Sequence, residues 1–409
     1  MAKAKLDYEV PAHLKREFVF QTAGILPPNG LVFGFNTIQK VGSHAKALGG
    51  THILLVTDET MVQLGYAERV QELLEEEGMK VEVYGNVEPE PHIELSGDAL
   101  YEMAKKAKVD LIIGLGGGSS MDMAKLTSVA VANEINPLDL MSKKKEATKP
   151  AIKKILIPTT SGTGSEVSKM FVAAAGKDKY FLGSLYAFPD IAIIDPGLTI
   201  SMPPRVTAST GIDALSHAVE SITYKTANPW YDTFGIGGIE LIAKYLRRAT
   251  FNGQDLEARY YMSMGAALAM MSMSGTGGLY AHSIAYVLAM FRPTAHGIGC
   301  AVGLPYTMAF NVPACDEKLA KIARAMGEKV ESVSVREAAR KAAQSVYDLI
   351  KDVKMPVSLK EMGFRHEDVP KMAEICVTKY SREFNPRPMS KEESEGLFEA
   401  MWEGNLSKL

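Results

Sequence analysis

A chain of 409 residues with 46% hydrophobic and 23% charged side chains has the composition of a soluble globular protein and a length suited to roughly two to three domains. A net charge of −3 argues against a nucleic acid or an acidic membrane surface as partner. Cys300, Cys315 and Cys376 lie far apart without CxxC spacing, which argues against a disulfide framework or a Cys-based zinc site and for a reducing compartment.

In chain order, the opening MAKAKLDYEVPAHLKREF lacks the apolar stretch of a signal peptide, and no run approaches membrane-span length, so the expected location is the cytoplasm with no membrane partner. Apolar strand-like runs follow at 31–35, 52–58, 80–85, 109–116 and 154–158. Between them lie amphipathic patterns at 66–78, with Gly78 as C-cap, and at 96–108, opening on Ser96. Strands alternating with helices at this spacing imply βαβ units and a mostly parallel sheet. The segment 191–196 reads as the last strand, after which Pro203 and Pro204 precede a long helical pattern. From there to residue 409 the pattern is helices with short turns, which places a boundary near 200. Lys143–Lys145 reads as a solvated loop. Met262, Met264, Met270, Met271 and Met273 read as gap-fillers in a helical core.

Two glycine-rich segments follow strands directly. In VDLIIGLGGGSSMDMAKL, Gly116, Gly117 and Gly118 let backbone N–H groups approach a ligand, and Ser119 and Ser120 add hydroxyls. A helix opening there offers unpaired donors and a positive dipole end, which suits a pyrophosphate. The pattern departs from G-x-G-x-x-G in its last position, so placement after a strand carries this reading. PTTSGTGSEVS, 158–168, supplies Thr159, Thr160, Ser161, Thr163 and Ser165 at another strand's C-terminal end, where α/β sheets bind ligands. Asp58, closing HILLVTD, can accept from a ribose 2′-hydroxyl and would repel a 2′-phosphate, favouring NAD over NADP. The same residue can serve as a helix N-cap.

Four residues of the second half suit a divalent first-row metal. Asp213 and His217 are four apart in TGIDALSHAVE and would share a helix face. His282 follows GTGGLYA, and His296 comes 14 residues later. One carboxylate and three imidazoles suit Fe(II) or Zn(II).

Together these segments resemble the iron-containing (group III) alcohol dehydrogenase family. The resemblance rests on GGGSSMDMAK (116–125), PTTSGTGSEVS (158–168), TGIDALSHAVE (210–220), GLYAHSIAY (278–286), TAHG (294–297) and NPRP (385–388). It runs from about residue 29 to residue 402 and leaves an N-terminal extension, 1–28, outside. It implies a dehydroquinate synthase-like fold. An α/β nucleotide-binding domain with a mostly parallel sheet would span 1–200, an all-α metal-binding catalytic domain 201–409, and the metal would sit in the cleft between them. By the same resemblance Asp213, His217, His282 and His296 are the metal ligands. Gly116, Gly117, Gly118 and Ser119 hold the pyrophosphate of NAD, with Asp122 nearby. Thr159, Thr160 and Thr163 line the nucleotide and nicotinamide side, Lys179 reaches the nucleotide, and Asp58 sets the preference for NAD.

The implied reaction is hydride transfer between an alcohol or aldehyde and NAD(H), with Fe(II), or Zn(II) in its place, polarising the substrate oxygen. The implied assembly is a homo-oligomer, a dimer or higher. Two positions depart from the family pattern. Tyr286 stands where many members carry a second histidine thought to relay a proton, as in the hydroxyacid–oxoacid transhydrogenase branch. Arg292 precedes His296 by four residues and could bind a substrate carboxylate or sulfonate, or form a structural salt bridge. A charged hydroxyacid or semialdehyde is therefore an alternative substrate. A dehydroquinate synthase-like relative would need a Lys/Arg cluster that the metal region lacks, and intact ligands argue against a non-catalytic filament-forming relative.

Overall fold

The computed structural model describes residues 10, 18–21, 30–176 and 178–409. Most of the N-terminal extension therefore lies outside the described residues. The chain divides into two compact units, one holding residues up to 160 together with 164–201, the other holding 161–163 and 202–409.

The first unit is built on strands β1 (Phe18–Gln21), β2 (Gly30–Phe33), β3 (His52–Val56), β4 (Lys80–Tyr84), β5 (Leu111–Gly116) and β6 (Lys153–Pro158). It continues with β7 (Met170–Ala175), β8 (Asp178–Gly183) and β9 (Ile191–Ile194). Seven strands form one sheet in the order β1-β2-β9-β6-β5-β3-β4, parallel except for β1, which pairs antiparallel with β2. Thus the extension, outside the recognisable motifs, still contributes an edge strand.

The central strands read as continuous apolar runs because both faces are covered. Ile53, Leu55, Ile113 and Ile155 pack with Val41 of α1 (Val41–Ala47) on one face. After α2 (Glu59–Gln63), helix α3 (Tyr66–Glu75) adds Val70 and Leu74 to that cluster. The alternate residues Leu54, Val56, Ile112 and Leu156 face the opposite layer, with Leu100 of α4 (Asp98–Ala107) and Met121 of α5 (Gly118–Asn133). Helices following β3 and β5 therefore take opposite faces, which opens a crevice at those two strand ends, the switch point of a doubly wound sheet.

Several local expectations need correction. Ser96 does not open a helix: residues 93–97 form a wide turn, α4 begins at Asp98, and the Ser96 hydroxyl donates to Glu88. Helix α3 stops at Glu75, three residues short of the positive-φ Gly78. The β7–β8 hairpin interrupts the βαβ rhythm between β6 and β9. Its KDKYF segment is too polar to read as a buried parallel strand. Lys143, Lys144 and Lys145 are exposed, following α6 (Pro137–Met141).

The second unit is helical: α7 (Pro204–Thr223), α8 (Pro229–Phe251), α9 (Leu256–Met273), α10 (Tyr280–Phe291), α11 (His296–Ala325), α12 (Val335–Asp352), α13 (Val369–Thr378) and α14 (Lys391–Glu403). One core joins α7, α8, α9, α11 and α12 through residues such as Leu215, Leu246, Met262, Leu304 and Val346. A second joins α10, α11, α13 and α14 through Leu288, Tyr306, Met372 and Phe398. Among the α9 methionines Met262 is buried and the other four are half-buried. Helix α11 carries Pro305 and Pro313 and leaves helical geometry at Cys315, as expected where prolines remove backbone donors. Contrary to the sequence expectation, α11 is long and apolar enough to cross a membrane. Its most apolar stretch is 72% buried against the rest of the protein, so the fold itself accounts for that apolarity.

Candidate metal centre and nucleotide loop

Helix α7 places Asp213, His217 and Glu220 at i, i+4 and i+7, one stripe of one helix. His217 Nε2 stands 3.9 Å from Asp213 Oδ1. His282 sits in the first turn of α10, its ring stacked on His217 with centroids 5.2 Å apart. His296 is the first residue of α11, with Nε2 3.7 Å from Asp213 Oδ1 and its ring 5.3 Å from that of His282. Gly297 makes this approach possible, since a Cβ there would lie 2.3 Å from the Ser209 carbonyl oxygen. The structure thus brings Asp213, His282 and His296 into one ligand-sized span and sets His217 beside them, against Asp213 and His282.

The electrostatics of the cluster fit a cation. Asp213, His217 and His282 are 4%, 4% and 5% exposed, and Asp213 Oδ1 and His217 Nδ1 have no hydrogen-bond partner. Buried polar atoms are seldom left orphaned, and a buried carboxylate ringed by imidazole acceptors is what a divalent metal satisfies. Burial opposes ionisation of Asp213, yet the three histidines hold its carboxyl below the usual range. Burial lowers His217 to about 4, which keeps it neutral with one ring nitrogen available as an acceptor.

Glu220, not anticipated from the sequence, orients His282. Its Oε2 accepts from Leu279 N at 2.7 Å and lies 2.5 Å from His282 Nδ1, while Oε1 accepts from Ala281 N at 2.7 Å and His282 N at 3.4 Å. Burial opposes ionisation of Glu220, but these donors hold its carboxyl below the usual range. A carboxylate on Nδ1 leaves Nε2 as the lone-pair nitrogen, the usual arrangement behind a ligating histidine. The signal available in the sequence was the i+7 spacing from Asp213.

Cys300 is a second unanticipated neighbour. Its Sγ lies 3.6 Å from His296 Nε2, and one ligand atom each from Asp213, His282, His296 and Cys300 falls within a 4.8 Å span. Cysteine spacing alone does not reveal this, because Cys300 reaches the cluster one turn after His296. Burial pushes its thiol well up, with the Asp213 and Glu220 carboxylates adding to the effect, so it is a neutral thiol at physiological pH.

Tyr286 lies against the cluster, its ring stacked on His296 at 5.4 Å and 20°. Burial drives its phenol well above the usual value, so at neutral pH it is a hydrogen-bonding hydroxyl. Arg292 sits at the end of α10, where Nη1 donates to the Met362 and Gly363 carbonyls at 2.9 and 3.3 Å. It lines an open groove of about 900 Å³ together with Arg205, Phe251, Lys354 and Glu361. Main-chain carbonyls, rather than a salt bridge, hold this guanidinium.

The nucleotide candidates other than Thr163 lie in the first unit. Gly116 ends β5 at φ +144°, and a Cβ there would meet Ser120 Oγ at 2.7 Å and Asp58 Oδ2 at 2.9 Å. Gly117 is the N-cap of α5 and makes no side-chain cap, so the donors of Gly118, Ser119 and Ser120 open a helix N-terminus. Asp58 caps α2 by accepting from Met61 N at 3.1 Å and also accepts from Ser120 Oγ at 3.3 Å. The N-cap reading of Asp58 is thus seen in the structure. Thr159 is buried with its N–H on the Gly116 carbonyl at 3.0 Å, and Thr160 lies beside Gly117. Thr163 is half-buried and belongs to the second unit.

Asp122 turns inward: it accepts from Ser165 Oγ at 2.6 Å and Val172 N at 3.0 Å, beside the fully buried Lys125. It braces α5 against β7 rather than presenting its carboxylate to a ligand. Lys179 on β8 lies 3.5 Å from Glu90 Oε2.

Comparison with known proteins agrees with this geometry. The family described as iron-containing alcohol dehydrogenase matches residues 28–196, and its C-terminal counterpart matches 207–402. Long-chain-alcohol dehydrogenase 1 of Geobacillus thermodenitrificans is 36% identical over 385 residues, 93% of this chain and 97% of that protein. A crystal structure of 1,3-propanediol oxidoreductase superposes with a TM-score of 0.88 at 35% identity, covering 92% of this chain and 99% of that one. Sulfoacetaldehyde reductase from Bifidobacterium kashiwanohense, solved with NAD+, gives 0.83 at 26% identity, covering 91% and 96%. The chain belongs to the iron-containing alcohol dehydrogenase family and is an NAD-dependent oxidoreductase of alcohols and aldehydes.

Proposed function

We propose that Asp213, His217, His282 and His296 hold Fe(II), and that the chain uses it to interconvert a short alcohol and its aldehyde with NAD(H). The observation that carries this reading is the buried acceptor cluster itself, with orphaned Asp213 Oδ1 and a His282 whose tautomer Glu220 sets. When bound, the metal supplies Lewis acidity toward the substrate oxygen and the nicotinamide supplies or takes the hydride. The protein's own residues do the rest. Glu220 fixes the direction of His282, and His217 stays neutral at working pH. Tyr286, with its protonated phenol beside His296, donates a hydrogen bond near the reacting oxygen and takes a positioning role where many relatives carry a titrating histidine. In the first unit, Gly116–Ser119 receive the pyrophosphate at the α5 N-terminus, Asp58 accepts from the ribose, and Thr159, Thr160 and Lys179 complete the nucleotide contacts.

Iron rather than zinc is the family reading, whereas intrinsic affinity favours Zn(II). Elemental analysis of protein purified anaerobically distinguishes them. A cytoplasmic homo-oligomer, dimer or higher, completes the proposal. The function is tested by NADH absorbance with added Fe(II), without oxygen, against a panel of alcohols, hydroxyacids and aldehydes. No turnover with any of them refutes it.

A further inference from the structure

Arg382 reaches the neighbourhood of the metal cluster through Tyr286, and no role described so far uses it. It lies just before NPRP, on a turn pinned by Asn385, whose buried amide pairs reciprocally with Asn311 at 2.8 and 3.2 Å and whose N–H donates to the Arg382 carbonyl at 3.1 Å. The half-buried Arg382 guanidinium lies over the Tyr286 ring, Cζ 5.9 Å from the centroid, and Tyr286 in turn stacks on His296. Nε donates to Ser283 Oγ at 2.7 Å, and that hydroxyl passes its own proton to the Tyr380 carbonyl at 2.7 Å. Ser283 is the residue after the candidate ligand His282. The inner edge of the guanidinium is thus fixed, while among the described residues its two terminal nitrogens bond to no carboxylate.

A half-buried arginine normally balances an acid; the Arg382 charge helps keep the buried Glu220 ionised, but among the described residues it makes no hydrogen bond to that carboxylate. Glu220 already receives hydrogen bonds from Leu279, Ala281 and His282, which fill its acceptor positions. Nor is the charge required by the metal: Asp213 and Glu220 carry two negative charges, which a divalent cation cancels, so the charge of Arg382 is in excess. Two parallel N–H donors on an outer edge are the geometry that takes an oxyanion bidentately.

We infer that Arg382 anchors an anionic group on the substrate, a carboxylate or sulfonate carried a few bonds from the reacting carbonyl, with Tyr286 as the wall between anchor and metal. The inference rests on the proposed alcohol and aldehyde chemistry at this cluster, and it moves the anion anchor from Arg292, whose Nη1 the 362 and 363 carbonyls hold, to Arg382. Recognition is then a matter of the distance between a carbonyl and an oxyanion, which separates short ω-anionic aldehydes from neutral ones.

The test compares the holoenzyme with Arg382→Gln and Arg382→Lys, using succinic semialdehyde and sulfoacetaldehyde against butyraldehyde and betaine aldehyde. The expected result is wild-type preference for an anionic aldehyde, the better of the two identifying carboxylate or sulfonate. In Arg382→Gln the anionic-to-neutral ratio of kcat/KM falls on the order of 10- to 100-fold, the value of a charged hydrogen-bond pair, through KM rather than kcat. Arg382→Lys recovers part of the ratio. Wild-type preference for neutral or cationic aldehydes overturns the inference while leaving the dehydrogenase reading intact, as does an equal loss on all substrates in Arg382→Gln. If no aldehyde turns over, the dehydrogenase reading fails and calorimetric binding of succinate and isethionate decides the anchor. Weaker binding to Arg382→Gln supports it, and equal binding overturns it.

Discussion

Replacing Glu220 with glutamine tests the metal centre without touching a proposed ligand. Glu220 is 2% exposed, and both oxygens accept: Oε2 from Leu279 N and His282 Nδ1, Oε1 from Ala281 N and His282 N. In glutamine one oxygen becomes an NH2 group, so whichever way the amide turns, two donors face a donor. Losing two charge-assisted bonds at about 1.5–3 kcal/mol each removes about 3–6 kcal/mol from the metal-free protein. The second consequence is chemical. With its Nδ1 partner gone or weakened, His282 loses the tautomer and direction that aim Nε2 at the cluster, and metal affinity falls about 10- to 100-fold. Thermal unfolding of metal-free protein reads the first effect, and metal retained against a competing chelator reads the second. A variant with wild-type unfolding temperature and affinity within about threefold, below the range for such partners, refutes the orienting role.

Other substitutions separate the remaining roles. His282→Ala reduces metal content to background, whereas Tyr286→Phe keeps the metal and lowers turnover about 5- to 10-fold, the effect of one hydrogen bond; equal metal in His282→Ala and wild type removes His282 from the ligand set. Asp58→Gly relieves repulsion of about 1–2 kcal/mol against a 2′-phosphate and raises the NADP-to-NAD ratio of kcat/KM on the order of tenfold, and an unchanged ratio rejects that role. Lys154 offers a pH test: burial is the main cause that lowers it from 10.5 to about 8 in the folded protein. Between those values the unfolded chain binds the extra proton, so folding stability rises with pH from about 8 to 10.5, and the penalty is fully present below 8. Lys154→Met removes up to about 3 kcal/mol of that penalty and flattens the rise, which unfolding midpoints at pH 7 and pH 10 will show. Parallel pH slopes in variant and wild type contradict the assignment.

The parallel sheet was legible because its central strands are buried on both faces and therefore run apolar, as in β5 and, after its two opening lysines, β6. The hairpin β7–β8 was not, because half-exposed residues such as Lys179 and Tyr180 carry no such signal. Strand β1 pairs at the sheet edge, where pairing depends on a neighbour rather than on composition. At the site, Asp213 and His217 announced themselves by helical spacing on α7. Glu220 lies on the same stripe but was indistinguishable from a surface glutamate until the α10 N–H groups closed on it. Arg292 drew attention by its nearness to His296 in sequence, and Arg382, 86 positions after His296, did not.

What the sequence determined alone was local: a glycine-rich turn directly after a strand, as at Gly116–Gly118, and ligand types at helical spacing, as at Asp213 and His217. These follow from backbone geometry within a few residues, so periodicity exposes them. What only the tertiary structure decided was which distant groups spend their hydrogen bonds on each other. It gives Glu220 to His282, ties Arg292 to the 362 and 363 carbonyls, and sets Arg382 beside Tyr286 with its outer edge unspent. The physical reason is that a side chain's chemistry depends on which partners burial leaves it, and those partners come from helices remote in sequence.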